Sequence, residues 1–330
     1  MEPMRDYISE LPKCDLQVHL EGTLALELAN TLAQRSGLKL PVKHFHFKSW
    51  QAFNQLYQRQ LAVLQTEQDF YQLTWHYAQQ AHQQNIRHAE LYITPQLHTA
   101  RGVSLATLLS GIHQGLLDSK QQLGISSGLI INFLPKAGVN AANQLLKQIL
   151  ASSEELQEFL LAISLSPDDH WRSLVAFQPL ITTAQQQDLA FVAQVSVDRA
   201  NSSVWQALDE LSAIRLDQAV NCLADPTLVH YLSMNQIPIT LCPLLDAKLA
   251  ICPDLSQHPL TEMLDMELIV SISANYPAYF AGYLNDNYCA IQAALDLSKE
   301  QIKQLVTNSL DASFIDKDTK QQLQQELSDC

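Results

Sequence analysis

Few residues of this chain stand at spacings that suit chemistry, and most of those are imidazoles and carboxylates. His44 and His46 form a His-x-His, the pattern that pinches a metal ion, but Phe45 and Phe47 interleave with them. The simpler reading is one polar face of an amphipathic segment. Asp168-Asp169-His170 is a carboxylate–imidazole cluster suited to proton transfer or to holding a cation, and equally suited to a solvated loop. His19 and Glu21 follow a short apolar run, with Glu21 also placed to fix the first loop; Asp217 ends another run, and His98 in Pro95-Gln96-Leu97-His98-Thr99 is expected to anchor the loop after the second strand. Asp246 and Lys248, after Cys242-Pro243, either contact a ligand or pair with each other. None of these assembles into a Ser/His/Asp or Cys/His nucleophile system with distinctive spacing.

The elements that must position these groups alternate regularly. Strand-like runs occur at Asp15–His19, His88–Ile93, Gly128–Leu134, Leu161–Leu165, Phe191–Val197, Ala213–Val220, Ile239–Cys242 and Leu268–Ala274. Amphipathic segments such as Leu105–Gln122, Ala141–Leu150, Val204–Leu211 and Thr227–Asn235 separate them. Eight strand–helix units in this length predict an α/β protein, a closed (β/α)8 TIM-type barrel. An open doubly wound sheet is second, and no Gly-x-Gly-x-x-Gly follows any strand to support it. The chain reads as a single domain over 1–330. Residues 24–84, helical and aromatic-rich, are expected as a cap inserted after the first strand, and 296–330 as C-terminal helices whose Gln-rich end (Lys320–Glu326) is solvated.

Composition narrows the partners. The formal net charge is −14, and the 20 Lys and Arg residues are scattered, which argues against nucleic acid. No apolar run approaches the roughly 20 residues that span a bilayer, and the amino terminus lacks a signal-peptide pattern. The six cysteines show no Cys-x-x-Cys and no scaffold spacing, as expected of reduced thiols in a cytoplasmic protein. A homo-oligomer, or a hetero-oligomer with an active relative, is compatible with the sequence.

Several ordered segments resemble one family. They are Leu11-Pro12-Lys13, Leu20-Glu21-Gly22-Thr23-Leu24, Thr66–Tyr71, Pro95–Gly102, Ser203–Leu208, Cys242-Pro243-Leu244 and Pro277–Tyr283. Over about Leu11 to Leu295 the chain resembles the adenosine deaminase family, particularly its bacterial adenine deaminase branch. The resemblance implies a barrel of the metal-dependent hydrolase superfamily with its site at the carboxyl ends of the strands.

It also implies zinc, which drops the pKa of bound water from about 15.7 to about 7, worth roughly 12 kcal/mol. By resemblance the metal ligands fall at Gln17, His19, Gln194 and Asn275, three of them neutral amides, which Zn²⁺ does not favour. The family's proton-donating Glu falls at Val197, its water-orienting His at Gln218 and the second Asp of its Asp-Asp-Pro at Tyr276. Two family glycines become Ser196 and Ala219, in a chain with only 9 Gly. No zinc and no other cofactor is expected, and no catalytic residue is assigned. The leading expectation is a pseudoenzyme, a protein that has lost zinc-dependent purine deamination and binds a purine or related small heterocycle. Gln17, His19, Glu21, Gln194, Gln218, Asp246, Asn275 and Tyr276 are its ligand-binding candidates, because amides offer both hydrogen-bonding senses to a purine edge. A metal-independent or altered-substrate hydrolase on the same barrel, using His19, Asp168, Asp169, His170 or Asp246, is the alternative. Residual adenine or adenosine deamination is the third.

Overall fold

A computed structural model of the protein describes residues 2–40, 45–47, 49–166, 174–195 and 201–330. Eight strands follow one another around a single sheet. They are β1 (Lys13–His19), β2 (Ile86–Ile93), β3 (Ser126–Phe133), β4 (Leu160–Leu165), β5 (Ala190–Gln194), β6 (Arg215–Asp217), β7 (Ile239–Leu241) and β8 (Val270–Ile272). Each pairs in parallel with the next. A parallel bridge from Val18 to Asn275 closes the ring. There the His19 N–H donates to the Asn275 carbonyl at 2.9 Å and the Asn275 N–H to the Gln17 carbonyl at 2.8 Å. The expected TIM-type barrel is the observed one.

The strands form where β-branched and leucine residues crowd together. Leu129, Ile130 and Ile131 are all fully buried, which requires cover on both faces of the sheet, as a barrel with an outer ring of helices provides. The last three strands are shorter than the apolar runs suggest. Gln218 (φ 65°) and Asn275 (φ 60°) take left-handed backbone conformations, through which a strand does not continue.

Alternation along β1 turns Gln17 and His19 inward, and along β6 it does the same for Arg215 and Asp217. The bore is filled by Tyr92, Ile130, Ala162 and Val192. Below them lies a buried charge pair, Arg215 Nη1 donating to Glu90 Oε2 at 2.6 Å. Phe314 seals that end: its N–H donates to Glu90 Oε1 at 2.7 Å, and its ring lies 5.1 Å from the Arg215 guanidinium.

Between β1 and β2 lie helices Leu26–Ser36, Trp50–Gln60 and Glu67–Gln83. The third belongs to the outer ring. It lies against helix Leu105–Asp118, where a Cβ on Gly111 would come within 2.2 Å of the Glu67 carbonyl oxygen. The second contributes Trp50, Asn54, Tyr57 and Gln58 to the cavity at the barrel mouth. The C-terminal helices are Lys299–Ala312, packed on β8 and β1, and Lys317–Ser328, which buries Leu323 and Leu327 rather than standing free in solvent. Among the described residues no helix is long and apolar enough to cross a membrane.

Candidate ligand site

At the carboxyl ends of the strands a cavity of about 430 Å³ opens beneath the cap. The side chains of Gln17, His19, Gln194, Gln218, Asn275 and Tyr276 all line it, although they come from four different strand ends. The cap helix Trp50–Gln60 starts at Ser49, whose hydroxyl accepts the Ala52 N–H at 3.2 Å. It turns Trp50, Asn54, Tyr57 and Gln58 toward the cavity, the i, i+4, i+7, i+8 spacing of one helix face.

Carboxamides and hydroxyls cluster in part of the wall, and Leu97, Leu134, Leu245, Leu249 and Ile251 make up much of the rest. Gln194 Nε2 donates to Asn132 Oδ1 at 3.2 Å and to Ser164 Oγ at 3.3 Å. Asn132 Nδ2 in turn donates to Thr94 Oγ1 at 2.9 Å and Ser166 Oγ at 2.7 Å. On the opposite side Thr240 Oγ1 lies 2.8 Å from Gln17 Oε1 and 2.8 Å from Asp217 Oδ1, with Cys242 Sγ 3.5 Å from the same Gln17 atom. Among the described residues, both amide atoms of Gln218, Asn275 Oδ1 and the Tyr57 hydroxyl are buried without a protein partner. Buried polar atoms seldom lack partners, so these are groups a ligand or water must satisfy.

His19 stands at the centre. The Tyr276 ring stacks on it, centroids 4.2 Å apart and planes 9° apart, and Tyr92 lies 5.1 Å away. Burial pushes the imidazole pKa down to about 4, so it is neutral at pH 7. Tyr276 fits because residue 22 is glycine: a Cβ there would meet Tyr276 Cδ1 at 2.6 Å and its Cα at 2.9 Å.

Glu21 and Asp246, read from the sequence as ligand contacts, do not line the cavity. Glu21 Oε1 accepts the Thr94 N–H at 2.9 Å and lies 3.2 Å from His98 Nε2, whose other nitrogen meets Arg101 at 2.8 Å. It ties the loop after β1 to the loop after β2. Asp246 faces His258 Nε2 at 3.4 Å, and not Lys248, whose Nζ donates to the Tyr279 carbonyl at 2.8 Å and rests over the Phe47 ring. Asp217 lies inside the bore, taking hydrogen bonds from the Tyr92 hydroxyl and Thr240 with Arg215 Nε at 3.5 Å. Burial raises its pKa, with the neighbouring guanidinium opposing. His46 is exposed. His44, Asp168, Asp169, His170, Ser196 and Val197 lie outside the described residues.

Sequence reasoning passed over Asn132, Ser164 and Ser166, and the cap residues Trp50, Asn54 and Gln58. A polar residue inside an otherwise apolar buried run, as in Ile130-Ile131-Asn132-Phe133, was the available signal.

The residues present do not fit zinc. Among the described residues no three of His, Cys, Asp or Glu come together to hold a metal ion. The positions around His19 carry carboxamides, and that of Gln194 is already engaged by Asn132 and Ser164.

A family model described as adenosine deaminase matches residues 12–330. The adenine deaminase of Chlorobium phaeobacteroides is 37% identical over 326 residues, covering 97% of this chain and 96% of its own. That of Crocosphaera subtropica is 38% identical over 327 residues, covering 97% and 99%. The crystal structure of adenine deaminase from Arthrobacter aurescens matches with a TM-score of 0.92 and 34% identity over 97% of this chain and 98% of its own.

Proposed function

The chain belongs to the adenosine deaminase family, and from that premise we propose that it binds a purine, or a closely related flat heterocycle, without deaminating it. One observation carries this reading. The metal and proton-transfer positions given by the family resemblance hold Gln17, Gln194, Gln218, Asn275 and Tyr276, and all of these line one cavity. Carboxamides cannot ionise water, but each can donate and accept toward a heterocycle edge. The cavity volume lies in the range of small-molecule sites, about 300–1,000 Å³, and Tyr276 and Trp50 offer aromatic surface for a flat ring.

The neutral state of His19 supports the same reading, since an imidazole with a pKa of about 4 is uncharged and accepts or donates a hydrogen bond at pH 7. Thermal melting with adenine, hypoxanthine and adenosine tests binding, and loss of adenine ultraviolet absorbance tests turnover. A raised Tm with unchanged absorbance is the expected result. A flat melting curve with every heterocycle removes the ligand-binding reading. Ammonia release from adenine removes the claim of silence.

A further inference from the structure

The polar end of the cavity is unevenly furnished. Gln194 has both amide hydrogens directed at Asn132 and Ser164, so its oxygen is the atom left for the cavity. Among the described residues Asn275 Oδ1 is buried without a partner, as are both amide atoms of Gln218. The orientation of Gln17 therefore decides the balance.

Thr240 Oγ1 sits 2.8 Å from both Asp217 Oδ1 and Gln17 Oε1, yet a threonine hydroxyl has one hydrogen. Asp217 is the stronger claimant. Its other oxygen already accepts from the Tyr92 hydroxyl, and the Arg215 guanidinium beside it has donors only. With the Thr240 hydrogen committed to the carboxylate, a Gln17 oxygen facing Thr240 would leave two acceptors in contact. Turning the carboxamide over removes that conflict: Nε2 donates to Thr240 Oγ1 and faces Cys242 Sγ, which accepts as well as donates. Gln17 then shows its oxygen to the cavity.

We propose that Asp217, acting through Thr240, fixes Gln17 with its carbonyl oxygen toward the ligand, so that the cavity selects a heterocycle bearing an exocyclic amino group over its oxo counterpart. Gln17, Gln194 and Asn275 each present an acceptor and Gln218 one acceptor and one donor, while His19 and the Tyr57 hydroxyl serve in either sense and so favour neither group. An amino group supplies hydrogens where an oxo group brings lone pairs against these oxygens. Gln17 is thus a specificity residue and Thr240 a positioning residue. The inference rests on the ligand-binding reading above.

The test has two arms. In the protein without ligand, nuclear Overhauser contacts between the Gln17 side-chain NH₂ and the Thr240 side chain report the carboxamide orientation. Strong contacts are expected; NH₂ protons remote from Thr240 overturn the inference whatever binds. Calorimetry then compares adenine with hypoxanthine. An amino preference of about tenfold or more is expected in the wild-type protein, the size of one unpaired buried acceptor. It should fall to about threefold or less in Thr240→Val, where Gln17 is free to turn, and return in Thr240→Ser. Equal affinities, or tighter binding of hypoxanthine, overturn the proposal while leaving the ligand-binding reading intact. Binding of neither compound to the wild-type protein removes both.

Discussion

Tyr276 lies face to face with His19, ring centroids 4.2 Å apart, and the absence of a side chain at Gly22 is what lets it do so. Gly22→Ala should therefore cost more than an ordinary surface change. The new methyl would press on the Tyr276 backbone at 2.9 Å as well as on its ring, and backbone cannot swing aside as a flexible side chain can. The expected loss is about 1–3 kcal/mol, the usual penalty of overpacking. Urea unfolding measures it, and an unchanged midpoint would show that the stack is not held there.

The buried imidazole makes a pH-dependent contribution of known sign. The folded pKa of His19, about 4, lies below the unfolded value of 6.5, so between these limits the unfolded state binds more protons. Its contribution is whole above pH 6.5 and is lost as pH falls toward 4. Asp15, with its pKa raised by burial to about 7 from 3.8, acts oppositely, adding stability below pH 3.8 that is lost as pH rises through 7. The two partly cancel. His19→Gln removes one of them, so the variant's stability relative to wild type should rise by as much as roughly 3 kcal/mol between pH 7 and pH 4. Parallel denaturation curves at pH 4.5 and 7 decide it, and an identical pH response in both proteins would refute the assignment.

Arg215 holds two buried carboxylates, Glu90 at 2.6 Å and Asp217 at 3.5 Å. Arg215→Met takes the guanidinium from both, leaving Glu90 only His88 at 3.5 Å, and a loss of about 3–5 kcal/mol is expected. The triple variant Arg215→Met, Glu90→Gln, Asp217→Asn should regain part of it, because the two carboxylates are neutralised along with their partner. Chemical denaturation of the two variants gives the comparison. A single variant as stable as wild type would mean that the bore charges are not coupled.

Zinc should leave the protein unmoved. A ligand that binds the native state raises stability by RT ln(1 + [L]/Kd), so even a micromolar site is visible in a melting curve. With exposed Cys330 replaced by Ser, titration with Zn²⁺ is expected to leave Tm unchanged, and chelator to do nothing. A saturating rise of several degrees would show ligands that the chemistry of the lining does not suggest.

The barrel was readable because most strands lie in compact apolar runs, Leu129–Ile131 most plainly, separated by helical periodicity. The shared cavity of Gln17, His19, Gln194, Gln218, Asn275 and Tyr276 was reachable through resemblance, since strand ends of a closed barrel must converge. What escaped depended on contacts far apart in the chain. Asp246 sits beside the mouth, but His258 draws it away, whereas Glu21 fixes the first loop as its place in the sequence suggests, through Thr94 and His98. Asn132 and Trp50 enter the wall because β3 and the cap helix face β5 and β8, and local periodicity cannot report which neighbour a face will meet. The strand ends at Gln218 and Asn275 were missed because a positive φ at a non-glycine residue leaves no mark in composition.

The seal at the base of the bore also dictates an order of assembly. Phe314 reaches back across 224 positions to Glu90, so a nascent chain can align its first six strands while the charged interior is still open to water. That interior becomes dry only when residues beyond the eighth strand dock. Pulsed hydrogen exchange during refolding should accordingly find the amide of Phe314 among the last to gain protection, and the protein's cooperativity should reside in a stopper rather than in the ring it closes.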